Sequence, residues 1–138
     1  MRGSDIVVTI TTSATPVFSG DWLEPGTHVN AAGSNSLLRQ EIDEATVRKC
    51  DPVVVDSRAS ALKEAGDLLP SLEKGRLHVG ALIELGEVIA GLRPGRTSSD
   101  QTTLFESQGM AIQDLIIAAE LARIARSRGV GSEVDLGR

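Results

Sequence analysis

Few positions in this chain pair a chemically useful side chain with a setting that would put it to work. The segment Asn30-Ala31-Ala32-Gly33-Ser34-Asn35 closes a short strand signal that begins at His28. In open α/β folds ligands gather at the carboxyl ends of parallel strands, so these small and amide side chains stand where a bound molecule is expected. They equally suit a plain turn whose polar side chains cap the next helix, and both readings stay open. Ser107-Gln108-Gly109-Met110 precedes a long helical pattern. Free N–H groups at a helix start favour an anion or a carbonyl oxygen; a kink packed around Gly109 is the alternative.

The other reactive side chains lack partners at useful spacing. His28, His78 and Cys50 contain no pair with local metal-ligand spacing, so no metal site is expected. Ser13 has neither a Gly-x-Ser-x-Gly setting nor an evident histidine, and nucleophilic hydrolysis therefore has no signature. Asp67, after Ala65-Gly66, reads as a solvated helix end, and Arg93 and Arg96 around Pro94-Gly95 read as a solvated loop.

The elements that must position these residues follow from apolar periodicity. Asp5 to Thr11, His28 to Gly33 and Val53 to Ser57 read as three strands, and the first is β-branched without polar alternation, as in a strand covered on both faces. Helical spacing runs from Gln40 to Cys50, from Arg58 to Ala65 behind a Ser57 cap, and from Val79 to Ala90. The last helix is expected from about Thr103 to Arg128. Its stripe of Ile112, Leu115, Ile116 and Ala119, with a second of Ile117, Leu121 and Ile124, calls for burial on two sides. Alternating strands and helices with short connections give an α/β layer with a parallel sheet of three strands, in one domain spanning 1–138.

The totals narrow the partners. With 138 residues, 41% hydrophobic and 24% charged, the chain fits a single globular domain with a modest core. Aromatic residues make up only 2% and the net charge is −5, which argues against stacking on bases and against a phosphate backbone. The single Cys50 excludes an intrachain disulfide and, with no signal pattern at the start, points to the cytoplasm. No apolar run approaches the roughly 20 residues of a membrane span. A small molecule or another protein chain remains as partner.

Four stretches, SDIVVTITTSATPVFSGDWLEPGTHVNAAGSN, VVVDSRASALKEAGD, ELGEVIAGLRPGR and TLFESQGMAIQDL, resemble the C-terminal part of the ornithine cyclodeaminase and mu-crystallin family, in its order and spacing. That family includes ketimine reductases and an archaeal type of alanine dehydrogenase. The resemblance implies the second half of a Rossmann domain plus a long returning helix, with the Asp5 strand as fourth in a sheet ordered 3-2-1-4-5-6 and its usual neighbour missing. No Gly-x-Gly-x-x-Gly/Ala turn follows a strand here, so the pyrophosphate cradle is expected to be absent.

By the same resemblance, Thr9, Thr11, Thr12, Asn30, Ala31, Gly33, Ser107 and Gly109 contact an NAD or NADP cofactor. Asn35 matches the position of the cyclodeaminases' catalytic aspartate. An amide is no general base near neutral pH, which favours a reductase or dehydrogenase role over cyclodeamination. Three functions are thus in view. The chain is part of an NAD(P)-dependent imino or amino acid oxidoreductase, inactive by itself. Alternatively it is a homodimer, self-associating through the Asp5–Thr11 edge and the C-terminal helix. A third reading gives that dimer a new activity, ester hydrolysis in a cleft using Ser13, His28, Asn35 and Asp67.

Overall fold

The computed structural model describes residues 1–135 and Gly137. Five strands, β1 (Ile6–Thr9), β2 (His28–Ala31), β3 (Val53–Val55), β4 (Leu82–Glu84) and β5 (Thr103–Glu106), form one parallel sheet in the order β1-β2-β5-β3-β4. The parallel α/β class expected from the sequence holds, but the sheet has five strands rather than three. β3 does not neighbour β2, because β5 returns between them.

Both unforeseen strands hide inside stretches of helical appearance. Leu82–Glu84 runs directly into helix α4 (Leu85–Ile89), where Glu84 and Glu87 form a reciprocal capping box. A three-residue strand fused to a helix leaves no turn to mark the change of period. Thr103–Glu106 is separated from the last helix, α5 (Ala111–Arg128), by a four-residue turn in which Gly109 takes φ +83, a conformation that ends any continuous helix.

Three further α-helices, α1 (Glu44–Lys49), α2 (Arg58–Glu64) and α3 (Leu69–Glu73), and two short 3-10 helices, Gly20–Trp22 and Val79–Ala81, complete the elements of the described residues. α1 starts four residues later than Gln40 because the N–H groups of Glu41 and Ile42 bond Asp67 instead of preparing a helix. Asp43 then caps the helix through Thr46 N at 2.8 Å, and Ser57 caps α2.

Side chains alternate across each strand. Val7, Val29, Ala31, Val53, Val55, Leu82 and Leu104 turn one way and join Phe18, Ile42, Val47, Ala61 and Leu68 in an aliphatic core. The opposite face carries Ile6, Val8, His28, Asn30, Val54 and Phe105, and much of it is bare: Ile6 and Val8 are each 62% exposed. β1, expected to be covered on both faces, is covered on one.

The expectation of two-sided burial for α5 is also not met. No residue of the helix is buried, and Leu115, Ile116 and Leu121 are all more than 60% exposed.

Candidate functional site: the carboxyl ends of the strands

The strand ends are held by carboxylates that collect backbone N–H groups. Glu41, fully buried, accepts from Gly33 N at 2.7 Å through Oε2 and from Thr11 N through Oε1, joining the ends of β1 and β2. Asp67 accepts from Glu41 N at 2.7 Å and Ile42 N at 3.0 Å, while its own N–H donates to Ser34 Oγ at 2.9 Å. Asp56, at the end of β3, accepts from Ser107 Oγ at 2.9 Å and Gly109 N at 2.7 Å. Each acid ties one loop to the next.

Packing there is close. A Cβ on Gly33 would come within 2.4 Å of the Thr11 carbonyl oxygen and one on Gly66 within 2.0 Å of the Arg39 carbonyl oxygen, so both positions need glycine for approach rather than for dihedral freedom.

These acids crowd one another. Burial pushes the Asp67 carboxyl up to about 6, further raised by the charge of Glu41 and only partly offset by its two N–H donors. Glu106, on the core side of β5, is raised well above the usual carboxylate range, first by burial and then by Asp67, Glu41 and Asp56. Asp67 Oδ2, Glu106 Oε2 and Thr9 Oγ1 are buried with no hydrogen-bond partner among the described residues.

Above this layer an open cleft of about 650 Å³ is lined by Thr11, Thr12, Gly33, Asn35 and Arg39, among others. Arg39 donates to Asn35 Oδ1 at 2.8 Å. Because a guanidinium only donates, this bond fixes the orientation of the amide and leaves its NH2 as a donor. The polar side chains of the cleft suit a carbonyl, carboxylate or ribose oxygen.

The residues singled out from sequence divide among three places. Thr11, Thr12, Gly33 and Asn35 line the cleft. Thr9 and Ala31 do not; both are buried on the core side of their strands, next to each other in register. Ser107 and Gly109 sit at the neighbouring strand end with their donors committed to Asp56, and they precede α5 rather than beginning it. Asp67 is 1% exposed, not a solvated helix end.

His28 opens β2, at the opposite end of the strand from the cleft, and with Asn30 it projects from the bare face. There Arg96 donates to Thr103 Oγ1 at 3.2 Å, Thr103 lies 2.7 Å from His28 Nδ1, and His28 Nε2 lies 3.3 Å from Asn30 Oδ1. Arg96 is thus tied into the fold, not free in a loop. Ser13 Oγ bonds the Thr15 carbonyl oxygen at 2.6 Å. Within one chain, Ser13, His28, Asn35 and Asp67 form no common site. Glu41, Asp56, Glu106 and Arg39 were missed, although Asp56 carries a readable signal as the acid that ends an all-valine strand.

Among the described residues no group of three or more His, Cys, Asp or Glu could hold a metal ion, and no helix is long and apolar enough to cross a membrane.

Comparison with known proteins agrees with this geometry. The chain is 40% identical over 136 residues to the Δ1-pyrroline-2-carboxylate reductase of Bacillus cereus, covering 98% of this chain and 42% of that protein. It is 42% identical to the mouse ketimine reductase mu-crystallin, over 86% of this chain and 35% of that one. Among solved structures, the Thermococcus litoralis Δ1-pyrroline-2-carboxylate reductase in complex with NADH and L-proline superposes with a TM-score of 0.87 at 39% identity, over 96% of this chain and 41% of that chain. An archaeal alanine dehydrogenase dimer with bound NAD gives a TM-score of 0.81 at 37% identity, over 96% of this chain and 41% of that chain. The chain therefore spans about two fifths of the length of these reductases. A family model matches residues 1–127, and on that match the chain belongs to the ornithine cyclodeaminase/mu-crystallin family.

Proposed function

We propose that this chain forms the strand-end half of an NAD(P)-dependent oxidoreductase acting on an imino or amino acid, and that by itself it lacks that activity. The supporting observation is the cleft above the ends of β1 and β2, with Thr11, Thr12, Asn35 and Arg39 turned toward a ligand position and no glycine-rich cradle after any strand. These donors fit the nicotinamide-ribose end of the cofactor, which when bound supplies or receives hydride. Asn35 and Arg39 would orient a carbonyl or carboxylate, and the apolar rim at Ile10 and Ala32 would limit water at the reacting face.

Asn35 exchanges no proton at neutral pH, so the reaction favoured is hydride transfer without cyclodeamination. Calorimetric titration of NADPH into the isolated chain should show no tight stoichiometric binding. Joining the chain to the part of the Thermococcus litoralis reductase that it does not match should give NADH-dependent reduction of Δ1-pyrroline-2-carboxylate. Tight binding by the isolated chain, or a folded but inactive fusion, would refute the reading.

A second reading is self-association into a homodimer through the β1 edge and α5. It is favoured by the outer-strand position of β1 and by the exposure of Ile6, Val8 and Ile10. Ester hydrolysis by such a dimer gains no support from the scattered Ser13, His28 and Asp67.

A further inference from the structure

Thr9 Oγ1, Asp67 Oδ2 and Glu106 Oε2 are closed off by the described residues themselves, so what pairs with them lies inside the core. Their side chains belong to residues only 5%, 1% and 0% exposed. Folded chains rarely leave one buried polar atom without a partner, and three at one end of a sheet mark a position that something polar fills.

Strand register brings the three together. Thr9 on β1 pairs with Ala31 on β2, and Ala31 pairs with Glu106 on β5, so the three side chains stand in one row on the core face. Two strand spacings, roughly 10 Å, separate the backbones of Thr9 and Glu106, and the residue between them carries only a methyl group. Asp67 meets this row from the turn between α2 and α3, close enough that its charge acts on the Glu106 carboxyl.

The donors show where a proton must sit. Glu41, Asp56, Asp67 and Glu106 gather here, and none of the ion pairs among the described residues involves any of them. Glu41 accepts from Thr11 N and Gly33 N, and Asp67 accepts from Glu41 N and Ile42 N. Asp56 accepts from Ser57 N, Ser107 Oγ and Gly109 N. Glu106 accepts a single bond, from Gln108 Nε2 to Oε1 at 3.2 Å. It has the least support for a negative charge and the deepest burial, so it is the acid that stays neutral, with the proton on Oε2.

We infer that one internal water molecule is bound over Ala31, accepting a hydrogen bond from protonated Glu106 Oε2 and donating to Asp67 Oδ2, with the Thr9 hydroxyl as its third partner. Three bonds are the usual complement of a buried water. The bridge joins β1, β5 and the α2–α3 turn. Because Asp67 also holds the N–H of Glu41, and Glu41 holds the ends of β1 and β2, the water supports the cleft from beneath without lying in it.

A high-resolution crystal structure of the chain tests the site. Density for one solvent molecule within hydrogen-bond distance of Thr9 Oγ1, Asp67 Oδ2 and Glu106 Oε2 is expected; direct contact between the two carboxyls, or other partners for these atoms, would overturn the bridge. Infrared spectroscopy of the unmodified chain at pH 8 reads the proton. The carbonyl band of an un-ionised carboxylic acid should be present, should move when the chain carries isotopically labelled glutamate, and should stay when the label is in aspartate. No acid band, or one that moves with labelled aspartate, would overturn the assignment to Glu106, and the labelling gives this answer without a substitution that could unfold the core. Thr9→Val keeps the shape of the side chain and removes its hydroxyl. The urea midpoint should fall as the water loses a partner, whereas a raised midpoint would show that the hydroxyl was unpaired and that no water bonds it.

Discussion

Replacing Asp67 by Asn should reverse its effect on stability between acidic and alkaline pH. The carboxyl is buried, its Oδ1 accepts two backbone N–H groups, and its Oδ2 has no partner among the described residues. Its folded pKa of about 6 lies above the reference value of 3.8 that applies when the chain unfolds. The folded state therefore binds the proton more tightly, and stability from this group is full below about pH 4, falls as pH rises toward 6, and is flat above. Two pKa units at about 1.4 kcal/mol each make the ionised form cost roughly 3 kcal/mol at pH 8.

Asparagine keeps an acceptor for Glu41 N and Ile42 N but has no charge to bury. At pH 4.5 the variant should match the parent within about 1 kcal/mol or be somewhat less stable, having exchanged one neutral acceptor for another. At pH 8 it should gain about 2 kcal/mol relative to its own difference at pH 4.5, because the unfolded carboxyl is already largely ionised at the lower pH. Urea unfolding of both proteins at the two pH values reads this directly. An equal difference between variant and parent at pH 4.5 and pH 8 would refute the assignment of Asp67 as a strained buried acid.

Gly66→Ala should destabilise by about 3 kcal/mol, the upper end for overpacking, because the methyl would strike the Arg39 backbone at 2.0 Å and no side chain can yield; an unchanged urea midpoint would contradict that packing. The Cys50 thiol, pushed up to about 12 by burial, should resist a thiol reagent at pH 8 in the folded chain and react at once in denaturant; rapid labelling of the folded protein would be the contrary result. In the active fusion, Asn35→Ala should raise KM for the imino acid or lower kcat by about tenfold, the worth of one neutral hydrogen bond; kinetics identical to the parent's would remove Asn35 from the cleft's function.

What could be read beforehand was whatever rests on local pattern. β-branched runs gave β1 and β3, the His28–Gly33 segment gave β2, helical spacing gave α1 to within four residues of its start, and the Ser57 cap gave the start of α2. β4 and β5 escaped because three or four apolar residues next to a helix carry no period of their own. The cleft was legible at Thr11, Thr12, Gly33 and Asn35 because it follows the ends of recognisable strands. Its foundations were not. Asp67 and Glu41 are 26 residues apart, and nothing in either neighbourhood announces that one will accept the other's N–H. The apolar surface of the last helix was legible as two stripes, but not that no residue of α5 is buried.

The buried acids also decide what the cleft can bind. A pyrophosphate is usually held by backbone N–H groups, and the N–H groups that this edge would offer, at Thr11, Gly33 and Gly109, are already bonded to Glu41 and Asp56. An anion approaching them would meet a carboxylate. The donors left facing the cleft are side chains, the hydroxyl of Thr12, the amide of Asn35 and the guanidinium of Arg39, which can bind a carbonyl, carboxylate or phosphate oxygen. The acids that fix the loops thus occupy the Thr11, Gly33 and Gly109 N–H groups on which a pyrophosphate would otherwise rest. On the reading proposed above, the pyrophosphate would therefore be held by a different stretch of polypeptide from the one that meets the nicotinamide ribose.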